Sequence, residues 1–180
     1  GLNSSASLSE KRFRDMLDRG IVSKAGRSYG WETLATHYKR NDQADLSLEA
    51  YLKAQDALSN TRYLIGAGNA YRKLGQIDNA IDVYQRALMD RPDDAEIWTN
   101  LGDVFFQVNR FKEATASFGN AVALDATQFR SQYGSCISHN ALQKFREAIV
   151  NCEKAIVLDP TASRAHYALG VSQISSGSVA

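Results

Sequence analysis

A recurrence of small and aromatic residues every 34 positions constrains this chain more than any other feature of it. Segment 61–94 reads TRYLIGAGNAYRKLGQIDNAIDVYQRALMDRPDD, and segment 95–128 reads AEIWTNLGDVFFQVNRFKEATASFGNAVALDATQ. Laid over one another, Gly68 falls on Gly102, Tyr71 on Phe105, Ala80 on Ala114, Tyr84 on Phe118 and Ala87 on Ala121. One further step carries Ala114 to Ala148 and Ala121 to Ala155, and two steps carry Pro92 to Pro160. A fixed period of this kind marks a repeat array, in which each unit buries its apolar face against its neighbours.

Inside each unit, apolar and small residues fall at three- and four-residue steps, the periodicity of amphipathic helices. In 95–128 one stripe is Trp98, Leu101, Gly102 and Phe105, and a second is Phe111, Ala114, Phe118 and Ala121. Between the stripes lies a turn, marked by Gly75 in one unit and Asn109–Arg110 in the next. Small residues at 68, 80 and 87, or 102, 114 and 121, let two antiparallel helices approach closely while the aromatics interlock. Pro92 and Pro160 sit just past a second helix, which they stop. With 44% apolar residues, 23% charged and only two prolines, the composition suits a folded helical chain.

The pattern resembles the tetratricopeptide repeat (TPR), with its Trp–x2–Leu–Gly–x2–Tyr, then Ala, Phe, Ala and a closing Pro. Segment 95–128 carries it through Trp98, Leu101, Gly102, Phe105, Ala114, Phe118 and Ala121, with Ala126 at the proline position. Segment 61–94 keeps Gly68, Tyr71, Ala80, Tyr84, Ala87 and Pro92. Segment 28–60 is a degenerate copy, one residue short, with Trp31, Leu34, Ala35, Tyr38, Tyr51 and Ala54 in register. Segment 129–162 is degenerate too: it keeps Ala148, Ala155 and Pro160 but has Gln132, Ser135, Cys136, His139 and Cys152 where the family prefers apolar groups. Residues 163–180 read as the first helix of a truncated repeat, with Leu169 and Gly170 at the family's Leu–Gly and Gly177 at its turn. Ahead of the repeats, 8–27 reads as a capping helix and linker, the helix over 8–19, and 1–7 as a disordered N-terminus or tag remnant. The resemblance implies an all-α fold, a right-handed α-solenoid of antiparallel helix pairs, and the ending implies a piece of a longer array.

In the TPR family the first helix of each pair lines a concave face that holds a peptide or a segment of another protein. Carried over position by position, the resemblance implies a groove offering Lys39, Arg62, Asn69, Arg72 and Lys73, then Asn100, Phe106, Arg130, Tyr133, Ile137, Tyr167 and Val171. Its first half is basic and its second half aromatic and aliphatic. The expected partner is therefore an extended, acidic peptide or protein with one or two apolar anchors. The expected role is a non-catalytic interaction scaffold; the alternative is a regulatory or targeting domain of a larger enzyme. Self-association through the exposed last helix is a further expectation. A carboxylate clamp of the kind found in some chaperone adaptors is matched at Asn69, Asn100 and Arg130, but Ile65 and Gly134 stand where two of its cations belong.

Other chemistry finds little support. Cys136, His139 and Cys152, with Gln132 nearby, lack the paired spacing of a zinc site, so the cysteines read as small buried apolar residues. Whether they form a disulfide is not decided by their spacing, and thiols left free would lean toward a reducing, cytoplasmic setting. No acid orients a Cys–His nucleophile pair, GAGNAY at 66–71 lies inside a helical pattern and not after a strand, and His37 and His166 stand alone. No catalytic residue, cofactor or metal is therefore expected. The net charge of +1 argues against nucleic acid, and no apolar run approaches the length of a membrane span.

Overall fold

The structure, a computed structural model, describes residues 2–177, with side chains from Leu8 onward. Helix and turn account for it, without a strand among the described residues. Ten helices follow in order: α1 (Leu2–Asp18), α2 (Lys24–Arg40), α3 (Ala44–Ala57), α4 (Thr61–Lys73), α5 (Ile77–Asp90), α6 (Ala95–Gln107), α7 (Phe111–Leu124), α8 (Phe129–Ala141), α9 (Phe145–Leu158) and α10 (Ser163–Ser176). The fold is an all-α solenoid of helix pairs, in two compact units that divide between Ala87 and Leu88. Helix α1 begins at Leu2, ahead of the helix expected from Leu8 and through residues expected to be disordered. Gly1 of that expected start, and residues 178–180 of the expected last helix, lie outside the described residues.

The period is written into the backbone. Left-handed residues stand at the turn inside each helix pair: Asp42 (φ 63°), Gly75 (73°), Asn109 (61°), Gln143 (58°) and Gly177 (71°). The last four are 34 apart, and Asp42 is one residue closer, matching the shortened first copy. Glycine meets this requirement without steric cost, aspartate and asparagine with little, and glutamine with more. A second joint also recurs. Trp98 Nε1 donates to the Pro92 carbonyl at 2.8 Å, Gln132 Nε2 to the Ala126 carbonyl at 3.1 Å, and His166 Nε2 pairs with the Pro160 carbonyl at 2.9 Å. Gln132 and His166 thus take over the connection that the tryptophan indole makes at the same repeat position.

Packing follows the small residues. In the first unit, Trp31, Leu34, Ala35, Tyr38, Ala50, Ala54 and Tyr63 form the core, and Leu17 of α1 seats on Gly30 of α2. In the second unit the buried ring of Phe118 on α7 lies between Gly102 of α6 and Gly134 of α8. A Cβ at either glycine would sit within 2.8 Å of that ring. Gly102→Leu is accordingly expected to lower stability by about 1–3 kcal/mol through overpacking. Urea denaturation measures it, and an unchanged midpoint would contradict the contact.

Candidate functional site

In the second unit, the predicted groove residues lie on α6, α8 and α10, the first helices of successive pairs. At the α6–α8 end, Arg130 Nη2 donates to Asn100 Oδ1 at 3.0 Å and forms an ion pair with Asp103. Asn100 is only 2% exposed, and its buried Nδ2 has no hydrogen-bond partner among the described residues. A buried donor left unpaired costs about 1–3 kcal/mol, so this amide stands out.

The α8–α10 end is apolar. Tyr133 stacks on Phe129 with centroids 5.7 Å apart and planes within 8°. The guanidinium carbon of Arg164 lies 5.0 Å from each ring. Tyr133 and Ile137 are half-buried, packed with Leu169 against Cys136, Cys152 and Ala168. Tyr167 is 77% exposed, Ile174 71% and Val171 37%. Phe106 leans on Phe111 across the inter-helix turn, at 5.3 Å between centroids.

In the first unit, several of the basic residues carry partners of their own. Arg62 pairs with Glu32 at 2.8 Å, and Lys73 with Asp42. Asn69 Oδ1 accepts from the Tyr84 hydroxyl at 3.0 Å. Lys39 is exposed, and Arg72 is half-buried with its Nε unpartnered. A shallow groove along α2 is lined by Tyr29, Glu32, Thr36, His37 and Arg40, with Arg62 of α4 at its edge. Of the two acids that neutralise this face, Glu32 falls at a groove position of the repeat, whereas Asp42 was not singled out from the sequence. Glu32 lies on α2, the preceding first helix, and Asp42 in the turn that follows it, 30 and 31 residues before the cations they meet.

Two sequence readings need correction or completion. Cys136 and Cys152 are not separate buried thiols: they form a disulfide with Cα atoms 5.1 Å apart, inside the usual range. That bond also removes the thiolate a Cys–His nucleophile would require, and the premise of the reducing-compartment lean. The clamp's missing cation at Gly134 has a steric reason, because the Phe118 ring fills the space where any side chain would begin. No group of three or more His, Cys, Asp or Glu side chains among the described residues is arranged to hold a metal. No described helix is long and apolar enough to cross a membrane.

His139 stands where the neighbouring repeats have Tyr71 and Phe105. Burial pushes its imidazole below the usual value of 6.5, opposed by the nearby Glu147 carboxylate and reinforced by Lys144. A lowered folded value means that the unfolded chain binds the proton more readily, so stability is present above about 6.5 and falls with acidification through it. His139→Phe is expected to flatten that dependence between pH 7.5 and 5.5 (approximate limits set by the imidazole range), as read from urea midpoints.

Together these features define a helical-repeat interaction module. The chain carries tetratricopeptide repeats: residues 68–109 match a family described as TPR repeat, and residues 95–128 match the tetratricopeptide repeat. It is 30% identical over 91 residues to BBSome complex member BBS4 of Bos taurus, covering 47% of this chain and 18% of that protein. It is 31% identical over 101 residues to the peroxisomal targeting signal receptor of Eremothecium gossypii, covering 55% of this chain and 18% of the receptor. The chain thus spans under a fifth of the length of these relatives. Among solved structures, MamA superposes with a TM-score of 0.76 at 21% identity, over 83% of this chain and 82% of MamA, a likeness of fold. The first TPR of Spaghetti (RPAP3), bound to the HSP90 peptide SRMEEVD, matches at 30% identity and a TM-score of 0.61, over 63% of this chain and 91% of that one.

Proposed function

We propose that the chain is a non-catalytic scaffold that binds an extended peptide, or a segment of another protein, along α6, α8 and α10. The observation that carries this reading is the buried, unpartnered Nδ2 of Asn100 beside Arg130. A ligand carboxylate competes with Asp103 for Arg130, whose side chain is 47% exposed. Half-exposed ion pairs of this kind are worth about 0–1 kcal/mol, so exchanging one carboxylate for another costs little. As the guanidinium turns toward the ligand it uncovers Asn100, whose amide then donates to a peptide carbonyl. Apolar side chains of the ligand settle on Tyr167, Val171 and the edge of Tyr133. The acidic peptide bound by the RPAP3 repeat, a relative at 30% identity, supports an acidic ligand here.

The test is a library of extended synthetic peptides, acidic and neutral, free-ended and amidated, titrated against the 180-residue chain. Acidic peptides with apolar anchors are expected to be enriched. Tyr167→Ala, at an exposed position, is expected to weaken the best of them about tenfold, as aromatic anchors commonly do, with unfolding unchanged. Tyr133 is less suitable because it packs on the core. A library without enrichment would overturn the reading.

A further inference from the structure

We infer that the Cys136–Cys152 bond is a reversible oxidation site that decides whether α8, α9 and α10 hold together as the wall of the groove. Three observations converge on this pair. The first is positional. Cys136 occupies the repeat position of Gly68 and Gly102, and Cys152 that of Tyr84 and Phe118. In those repeats the aromatic ring lies directly on the glycine, with a notional Cβ only 2.7 or 2.8 Å from it. Where those two bury a ring against a glycine, this repeat has a covalent link. The next helix agrees: Phe118 is received by Gly134, whereas the smaller Cys152 meets Ala168 at the equivalent position.

The second observation is the poverty of the surrounding core. Helix α6 buries Ile97, Leu101 and Val104, whereas α8 buries Ser131, Ser135 and Ser138 at the same repeat positions. Hydroxyls contribute little to the attraction that holds helices together, and Ser138 Oγ has no hydrogen-bond partner among the described residues. With serines in place of aliphatic side chains on α8, the link supplies between α8 and α9 the restraint that a ring on glycine supplies in the two preceding repeats. The third is adjacency, since Tyr133 and Ile137, both proposed groove residues, pack against the cluster that Cys136 and Cys152 form with Ala168.

The chemistry balances with a dithiol reductant. Its first sulfur attacks one cysteine sulfur, the Sγ–Sγ bond breaks, and its second sulfur closes the reductant's own disulfide. Two electrons and two protons pass to Cys136 and Cys152, which become thiols. Both cysteines are fully buried, and α10 covers them, with Ser172 Oγ 3.9 Å from Cys152 Sγ. Reduction therefore proceeds through lifting of α10. Two thiols fill the place of a ring poorly, so the reduced repeat loosens.

Hydrogen exchange on the full chain, oxidised and then held reduced with dithiothreitol, tests this. The sulfurs are separated by 16 residues, and a loop of that size restricts the unfolded chain by roughly a hundredfold, so reduction is expected to speed exchange in α8–α10 by about that factor relative to α2–α4. Reoxidation is expected to reverse it. Cys136→Gly/Cys152→Phe/Ala168→Gly rebuilds the ring-on-glycine arrangement and is expected to exchange slowly with or without dithiothreitol. Equal exchange in reduced and oxidised wild type would overturn the proposal, as would fast exchange in α8–α10 of the triple variant. The consequence for ligand rests on the groove reading: the best library peptide is expected to bind at least tenfold more weakly after reduction. If no peptide binds in either state while exchange still responds, the groove reading fails and the switch stands.

Discussion

Phe118→Ala is expected to destabilise the second unit by about 3–5 kcal/mol, the range for removing a fully buried phenylalanine. The ring is 0% exposed and meets glycines on both sides, Gly102 and Gly134. Neither glycine has a side chain to move into the void, so collapse can recover little of the lost contact. The same geometry separates this residue from an ordinary core aromatic, whose neighbours could repack. Phe118→Leu, which retains most of the volume, is expected to cost roughly half as much or less. Urea denaturation gives the magnitude, and exchange in α6, α7 and α8 locates it. A loss below about 1 kcal/mol for the alanine variant would mean that these helices are not held through the ring.

Asn100→Ala is expected to do the opposite to stability and far more to binding. Its Nδ2 has no partner among the described residues, so removing the amide discards a buried donor that makes no bond within them. Arg130 gives up one acceptor but keeps Asp103. The urea midpoint is therefore expected to stay the same or rise, while affinity for the selected peptide falls about 10- to 100-fold, the value of one buried hydrogen bond. Calorimetric titration beside urea denaturation separates the two effects. A variant that unfolds more easily and binds equally well would assign Asn100 to the architecture alone.

Much of the architecture was legible because a period of 34 repeats the same physical problem. Gly68 with Tyr84 and Gly102 with Phe118 announce close helix crossings, and Gly75, Asn109 and Gly177 announce turns. The left-handed Gln143 was less visible, since glutamine carries no turn preference. The ion pairs escaped for a different reason. Glu32–Arg62 and Asp103–Arg130 join successive first helices through long side chains, and sequence spacing alone does not say which rotamers meet. Consequently a face that reads as basic is partly neutralised by its own acids. The disulfide could have been suspected, because its two cysteines sit on the glycine and ring positions of the other repeats. Cysteine chemistry offers both a bond and a pair of small apolar groups at such a place, and only the approach of the backbones selects between them.

The way Phe118 is received has a consequence for how arrays of this kind can be recombined. Its ring belongs to one helix pair but needs Gly102 behind it and Gly134 ahead of it, on two different first helices. Exchanging α7 for α9 would set Cys152 opposite Gly102, leaving a hole and an orphaned sulfur; the reverse exchange would drive a ring into Cys136. The backbone joints at Asn109 and Gln143 would accept either splice, since both already turn through left-handed φ. The smallest transferable module is therefore larger than the nominal repeat: a second helix together with the first helices on both sides of it.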